Sequence, residues 1–113
     1  MCLCYKIKSE KDYDIINKYL KEYIEREASR NEDYKIPELY DDGSWLSDKC
    51  VSFELERVRN SAMKYLRVDF HSEHINRDPN LEYTEEDISL IQGKVKSLFE
   101  MVLRKIGVDF EVE

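Results

Sequence analysis

The sequence has few residues that interrupt regular structure: its 113 residues include only three glycines and two prolines. Glycine and proline end helices and strands, so their scarcity predicts long, continuous elements. No apolar run approaches the ~20 residues that a transmembrane helix needs. The first residues also lack the basic and apolar regions of a secretion signal. We therefore expect a cytoplasmic protein that has no membrane partner.

Cysteine is also scarce, and the three cysteines are an odd number. An odd count argues against a disulfide framework and suits a reducing compartment. A chain of this length can bury a hydrophobic core without such cross-links, so we expect a single globular domain over residues 1–113.

Catalytic signatures are absent too. The chain contains no glycine-rich phosphate loop, no Gly-x-Ser-x-Gly and no His-Glu-x-x-His. Cys50 is more typical of a small core residue than of a nucleophile. These absences predict a protein that is not an enzyme and holds no cofactor.

Negative charge is in excess, because the sequence has 25 acidic and 18 basic side chains and therefore a net charge of −7. Binding to a nucleic-acid backbone depends largely on lysine and arginine, so this balance disfavours direct contact with nucleic acid. It favours solubility and attraction to basic partners.

Two amphipathic helices are predicted. The first opens with a capping box from Ser9 to Asp12 and ends near Arg30, with Asn31 as its stop. The second opens with a capping box from Thr84 to Asp87 and ends at Gly107. Apolar residues recur at helical spacing in both: Tyr13, Ile16, Leu20, Tyr23 and Ile24 in the first, and Ile88, Ile91, Val95, Leu98, Phe99, Val102 and Ile106 in the second.

The two ends and the middle of the chain alternate between apolar and polar residues, as half-buried strands do. At the ends the apolar residues are Leu3, Tyr5 and Ile7, and Val108, Phe110 and Val112. In the middle, Val51, Phe53 and Leu55 alternate with Ser52, Glu54 and Glu56, and Leu66, Val68 and Phe70 alternate with Arg67, Asp69 and His71. A hairpin turning near Asn60 places all six apolar residues of the middle on one face. A helix over the same segment leaves Phe53 and Val68 off its stripe, so we prefer the hairpin.

The resulting order is strand, helix, strand, strand, helix, strand. This order predicts a ferredoxin-like α+β fold, with two helices on one face of a four-stranded antiparallel sheet. The alternative, if the middle is helical, is three helices with a two-stranded terminal ribbon.

That topology brings a candidate metal cluster together. The start of the first strand, with Cys2 and Cys4, would lie near the end of the third strand, with His71 and His74. Two thiolates and two imidazoles can bind zinc tetrahedrally. The spacings match no common zinc finger or ribbon, so a metal- or ligand-binding domain is an alternative hypothesis.

The RNA-recognition module shares this strand order, and it stacks bases on aromatic side chains of the sheet face opposite its helices. We expect mixed charges and no aromatic platform on this face: Cys4, Lys6, Lys8, Ser52, Glu54, Glu56, Arg67, Asp69, Asp109 and Glu111. RNA recognition by stacking is therefore disfavoured.

The segment around Trp45 is the candidate partner-binding site. Tyr40 and Trp45 are aromatic residues of the kind that anchor interfaces. Asp41, Asp42 and Asp48 flank them and could meet basic residues of a partner and speed association. The alternative is that Trp45 packs into the core.

Together these features predict a small acidic protein-binding domain. Virus-encoded anti-defence proteins and toxin-neutralising immunity proteins have this general character, and they inhibit a nuclease or another nucleic-acid-binding protein by covering its basic surface. A structural homo-oligomer, such as a homodimer, is the remaining alternative.

Overall fold

The residues that the structure describes form two helices and four strands, which follow one another in the predicted order. The computed structural model describes residues 2–8, 12–31, 51–58, 63–71 and 84–113. The elements are strand β1 (Cys2–Lys8), helix α1 (Tyr13–Arg30), strand β2 (Val51–Arg57), strand β3 (Lys64–Phe70), helix α2 (Glu85–Ile106) and strand β4 (Asp109–Val112). The strands lie in the order β2-β3-β1-β4, and every neighbouring pair is antiparallel. The ferredoxin-like prediction is confirmed, and the three-helix alternative is wrong.

Residues 51–70 form the predicted hairpin. The N–H of Val58 donates to the carbonyl of Met63 at 3.2 Å, where the two strands meet the turn. A helix here would have turned Phe53 and Val68 away from its apolar stripe, whereas the two strands bring both side chains to the core. The side chains that face the helices are Val51, Phe53, Leu55, Leu66, Val68 and Phe70.

Helix α1 begins later than the capping box at Ser9 predicts, and that prediction is wrong. Asp12 is the N-cap, and its carboxylate accepts a hydrogen bond from the N–H of Asp14 at 3.0 Å. Aspartate caps a helix as well as serine does, and Asp12 stands directly ahead of the apolar stripe. The predicted end, Arg30 followed by Asn31, is confirmed.

Helix α2 begins and ends as predicted. The hydroxyl of Thr84 accepts from the N–H of Asp87 at 3.2 Å, and the Asp87 carboxylate accepts from the N–H of Thr84 at 3.0 Å. Gly107 ends the helix at φ 81°, in the left-handed region that glycine adopts without strain. The N–H of Val108 then bonds back to Leu103, which directs the chain into β4.

The core is one continuous cluster between the helices and one face of the sheet. Tyr5 and Phe99 are the largest side chains that are fully buried. The ring of Phe99 meets Phe53 edge-on at 5.2 Å, and the ring of Tyr5 meets Phe110 edge-on at 5.6 Å. Within the described ranges, neither helix combines the length and the apolar run that crossing a bilayer requires.

Candidate functional site

The sheet face opposite the helices is polar, and we call it the open face. It carries Cys4, Lys6 and Lys8 from β1, Ser52, Glu54 and Glu56 from β2, Tyr65, Arg67 and Asp69 from β3, and Asp109, Glu111 and Glu113 at the C-terminal strand. None of these side chains is buried, whereas their neighbours along each strand face the helices. The predicted alternation along the four strands is confirmed.

Tyr65 and Glu113 were not among the side chains expected on this face. Tyr65 lies between Lys6 and Glu56 in the register of the sheet and is partly exposed. Tyr65 is the one aromatic side chain among the described residues of this face, and a single ring does not form the stacking platform of the RNA-recognition module. The alternation of residues 66–70, extended one residue towards the turn, would have found Tyr65.

The open face is acidic. Six of its side chains are carboxylates, at positions 54, 56, 69, 109, 111 and 113, and three are basic, at positions 6, 8 and 67. Two of the three basic groups already have acidic partners within this face. Lys8 Nζ lies 2.5 Å from Glu111 Oε1, and Arg67 Nε lies 3.1 Å from Asp69 Oδ2. The charge left for an incoming molecule is therefore negative.

The basic side chains of the open face contact several of its carboxylates. The hydrogen bond from Lys8 lowers the pKa of the Glu111 carboxyl, so this carboxylate stays ionised to a lower pH than an isolated glutamate does. Arg67 is also 3.9 Å from Glu56, so it bridges carboxylates on two strands. Such exposed ion pairs add little to stability.

Cys4 lies in the middle of the open face, opposite Arg67. Partial burial raises the pKa of its thiol, and the neighbouring carboxylates of Glu113 and Glu56 raise it further. A raised pKa disfavours the thiolate, which is the form that attacks a substrate or binds a metal. This environment does not favour chemistry at Cys4.

The predicted metal cluster is only partly described. His71 follows β3, and its Nε2 is 3.1 Å from the hydroxyl of Ser52. Since Cys4 is opposite Arg67, it lies four residues from His71 along the strands, roughly 13 Å, which is too far for both to bind one ion. In the part of the chain that the structure describes, no group of three acidic, cysteine or histidine residues is arranged to hold a metal. His74 and the side chain of Cys2 lie outside the described residues, so the hypothesis stays untested there.

The predicted partner-binding residues, Tyr40, Asp41, Asp42, Trp45 and Asp48, all lie outside the described residues. The sequence shows that their segment contributes strongly to the net charge. Residues 32–50 include six acidic and two basic side chains.

A second, apolar patch lies on helix α1. Ile15 and Tyr19 are one turn apart, and they are 47% and 39% exposed. The ring of Tyr19 lies 6.0 Å from that of Tyr23, which is covered by Arg26 at 4.4 Å. Two exposed apolar side chains are ordinary for a small domain, and the patch is too small to define an interface.

The chain matches no protein-family model, and no curated protein or solved structure is significantly similar to it. Its function is therefore argued from its geometry and charge.

Proposed function

We propose that this chain is a non-enzymatic acidic binding domain that covers the basic surface of a nuclease or another nucleic-acid-binding protein. Inhibitors of the anti-defence or immunity type act in this way. A cytoplasmic location belongs to the same proposal. The observation that supports it is the acidic open face, where the carboxylates outnumber the basic groups and two of the three basic groups are engaged by carboxylates of the same face.

The physical argument rests on charge and on position. Because a surface of excess carboxylates repels phosphate, direct nucleic-acid binding is disfavoured. The same surface attracts a protein whose own binding site is built for phosphate, and it accelerates the encounter. Asp41, Asp42 and Asp48 would add to this attraction.

The first experiment is capture of partners from a native lysate on the immobilised chain, at low and at high salt, after nuclease treatment. We expect a stoichiometric partner that binds nucleic acid and is released at high salt, since the Debye length falls to about 3 Å at 1 M. The purified partner should then lose its nucleic-acid binding when this chain is added. A captured partner that still binds nucleic acid normally would contradict the proposal.

Three variants locate the surface that binds this purified partner. Glu54→Gln with Glu56→Gln neutralises part of the open face, and Asp41→Asn with Asp42→Asn and Asp48→Asn neutralises the segment around Trp45. The matched control is Glu22→Gln with Glu25→Gln on the exposed side of α1. We expect the association rate to fall roughly tenfold in one or both of the first two variants and to stay unchanged in the control. Equal rates in all three would reject an acidic docking surface.

A further inference from the structure

The two edges of the sheet differ. The N–H of Glu113 donates to the carbonyl of Cys4 at 2.9 Å, so these two residues form a hydrogen-bonded pair of β1 and the C-terminal strand. In an antiparallel ladder such pairs alternate with pairs whose backbone groups point away from each other. Val112 and Phe110 are therefore the residues whose N–H and C=O groups face the outer edge of β4. Among the described residues, β4 pairs with β1 alone.

The opposite edge is blocked by a side chain. On this side the N–H of Val58 donates to the carbonyl of Met63, so these two residues form a hydrogen-bonded pair. Leu55 is three positions further along β2 and belongs to a pair of the other kind, so its carbonyl points towards the outer edge. The hydroxyl of Tyr13 donates to that carbonyl at 2.5 Å. The guanidinium of Arg57 lies 4.9 Å from the centre of the Tyr13 ring. A side chain that occupies an edge carbonyl in this way hinders pairing with another strand at that position.

The side chains around the β4 edge determine which side chains an added strand needs. On the open face β4 presents the carboxylates of Asp109 and Glu111, and Glu113 follows directly. On the helix side Val112 is 48% exposed. At the start of the strand a cleft of about 340 Å³ is lined by Arg104, Gly107, Val108, Asp109 and Phe110. This edge combines backbone groups and acidic side chains on one face with apolar contact on the other, where the guanidinium of Arg104 lies 5.7 Å from the centre of the Phe110 ring.

We propose that β4 binds an extended basic segment of the protein partner as an added antiparallel strand. In this arrangement the basic side chains of the segment lie beside the carboxylates of the open face, and its alternate apolar side chains lie beside Val112 and Phe110. The inference rests on the proposed function, of which it names the binding mode.

A second copy of the chain is a poorer occupant of this edge. Pairing β4 with β4 would bring the carboxylates at positions 109, 111 and 113 of both copies onto one face. Like charges opposite each other destabilise a pair of strands. Charge complementarity favours the basic segment.

The test uses a fluorescent peptide of alternating lysine and valine and measures its binding by anisotropy and by protection of backbone amides in hydrogen exchange. Phe110 and Val112 carry the outward-facing backbone groups of β4, so in an antiparallel addition the peptide residues directly opposite them form the hydrogen bonds. Directly paired residues have their side chains on the same face of the sheet, so these peptide residues are the apolar ones. Methylation of the backbone nitrogens of the valine residues should therefore abolish binding. Methylation of the backbone nitrogens of the lysine residues should leave binding unchanged. A peptide with glutamate in place of lysine should not bind.

The matched protein variants are Val112→Pro and Val112→Thr. Proline removes the N–H that faces the edge and leaves the bonds of β4 to β1 in place, whereas threonine keeps that N–H. We expect affinity for the peptide to fall about tenfold or more in Val112→Pro and to change little in Val112→Thr. If Val112→Pro does not fold, the two methylated peptides give the same answer on the natural chain.

Three results would overturn the inference: no binding of the peptide at millimolar concentration, equal binding of both methylated peptides, or no protection of the amides of Phe110 and Val112. Its failure can be distinguished from that of the proposed function. A Val112→Pro chain that binds the purified partner with unchanged affinity rejects strand addition and leaves the proposed function in place. Absence of any salt-sensitive partner that binds nucleic acid rejects the function itself.

Discussion

Replacing Tyr5 with phenylalanine should stabilise the fold. The Tyr5 side chain is 0% exposed, and within the described residues its hydroxyl has no hydrogen-bond partner. Tyr5→Phe removes that oxygen and keeps the edge-on contact of the ring with Phe110. A buried polar group without a partner costs about 1–3 kcal/mol. We therefore expect the free energy of unfolding at pH 7 to rise by about 1 kcal/mol or more, and the melting temperature by about 4 °C per kcal/mol.

The same hydroxyl makes stability depend on pH. Burial raises the pKa of Tyr5 far above its usual range, the carboxylate of Glu100 raises it further, and Arg104 opposes this shift. A raised pKa means that folding favours the neutral hydroxyl. Titration of Tyr5 therefore leaves the stability of the fold unchanged below the unfolded pKa of about 10 and lowers it as the pH rises above that value. Each pH unit above this value should cost the natural chain about 1.4 kcal/mol relative to Tyr5→Phe.

The assay is urea unfolding followed by circular dichroism, for both proteins, at pH 7 and at a series of values from 9 to 11. Comparing the two chains at each pH cancels the titration of the other tyrosines and of the lysines. A loss of about 1 kcal/mol on Tyr5→Phe at pH 7 would refute the reasoning, because the hydroxyl would then have a favourable partner. If the free energies of unfolding of the natural chain and of Tyr5→Phe change with pH in parallel, the raised pKa of Tyr5 is refuted.

Three further changes test other contacts in the same unfolding assay. Tyr13→Phe should lower the free energy of unfolding by about 1 kcal/mol, since the carbonyl of Leu55 loses its donor. An unchanged free energy of unfolding would contradict a stabilising hydrogen bond from Tyr13 to Leu55. Asp12→Ala should cost about 1 kcal/mol and Asp12→Ser much less, because serine also caps a helix; equal losses would reject Asp12 as the cap. The hydrogen bond from Lys105 lowers the pKa of Glu27 below its ordinary 4.5, so the pair stabilises the fold above that pH and loses its effect as the pH falls. Glu27→Gln should therefore cost about 0.5 kcal/mol at pH 7 and progressively less towards pH 3, and a cost independent of pH would contradict this assignment.

The elements whose signals are local could be predicted from the sequence. The capping box at Thr84 and the glycine at position 107 mark the two ends of α2, because the groups that satisfy a helix terminus lie within a few residues of it. The hairpin of residues 51–70 follows from alternation over short runs. The start of α1 could not be predicted as well, because Ser9 and Asp12 are both good caps and only the packing of the helix decides between them.

The candidate site was only partly predictable. The composition of the open face follows from alternation, apart from Tyr65 and Glu113. Its ion pairs do not, because Lys8 and Glu111 are separated by 103 positions in the sequence and meet only through the pairing of β1 with β4. The register also separates Cys4 from His71, which the sequence alone had placed in one cluster.

The sequence by itself determined the order of the elements, the apolar face of each and the excess of negative charge, because these depend on neighbouring residues and on composition. Only the tertiary structure decided which strands lie at the edges and which edge is blocked. Tyr13 protects β2 because α1 packs beside that strand, and β4 carries no such contact among the described residues. Hydrogen bonds between segments distant in the chain have no local signal, since they arise only when the core brings those segments together.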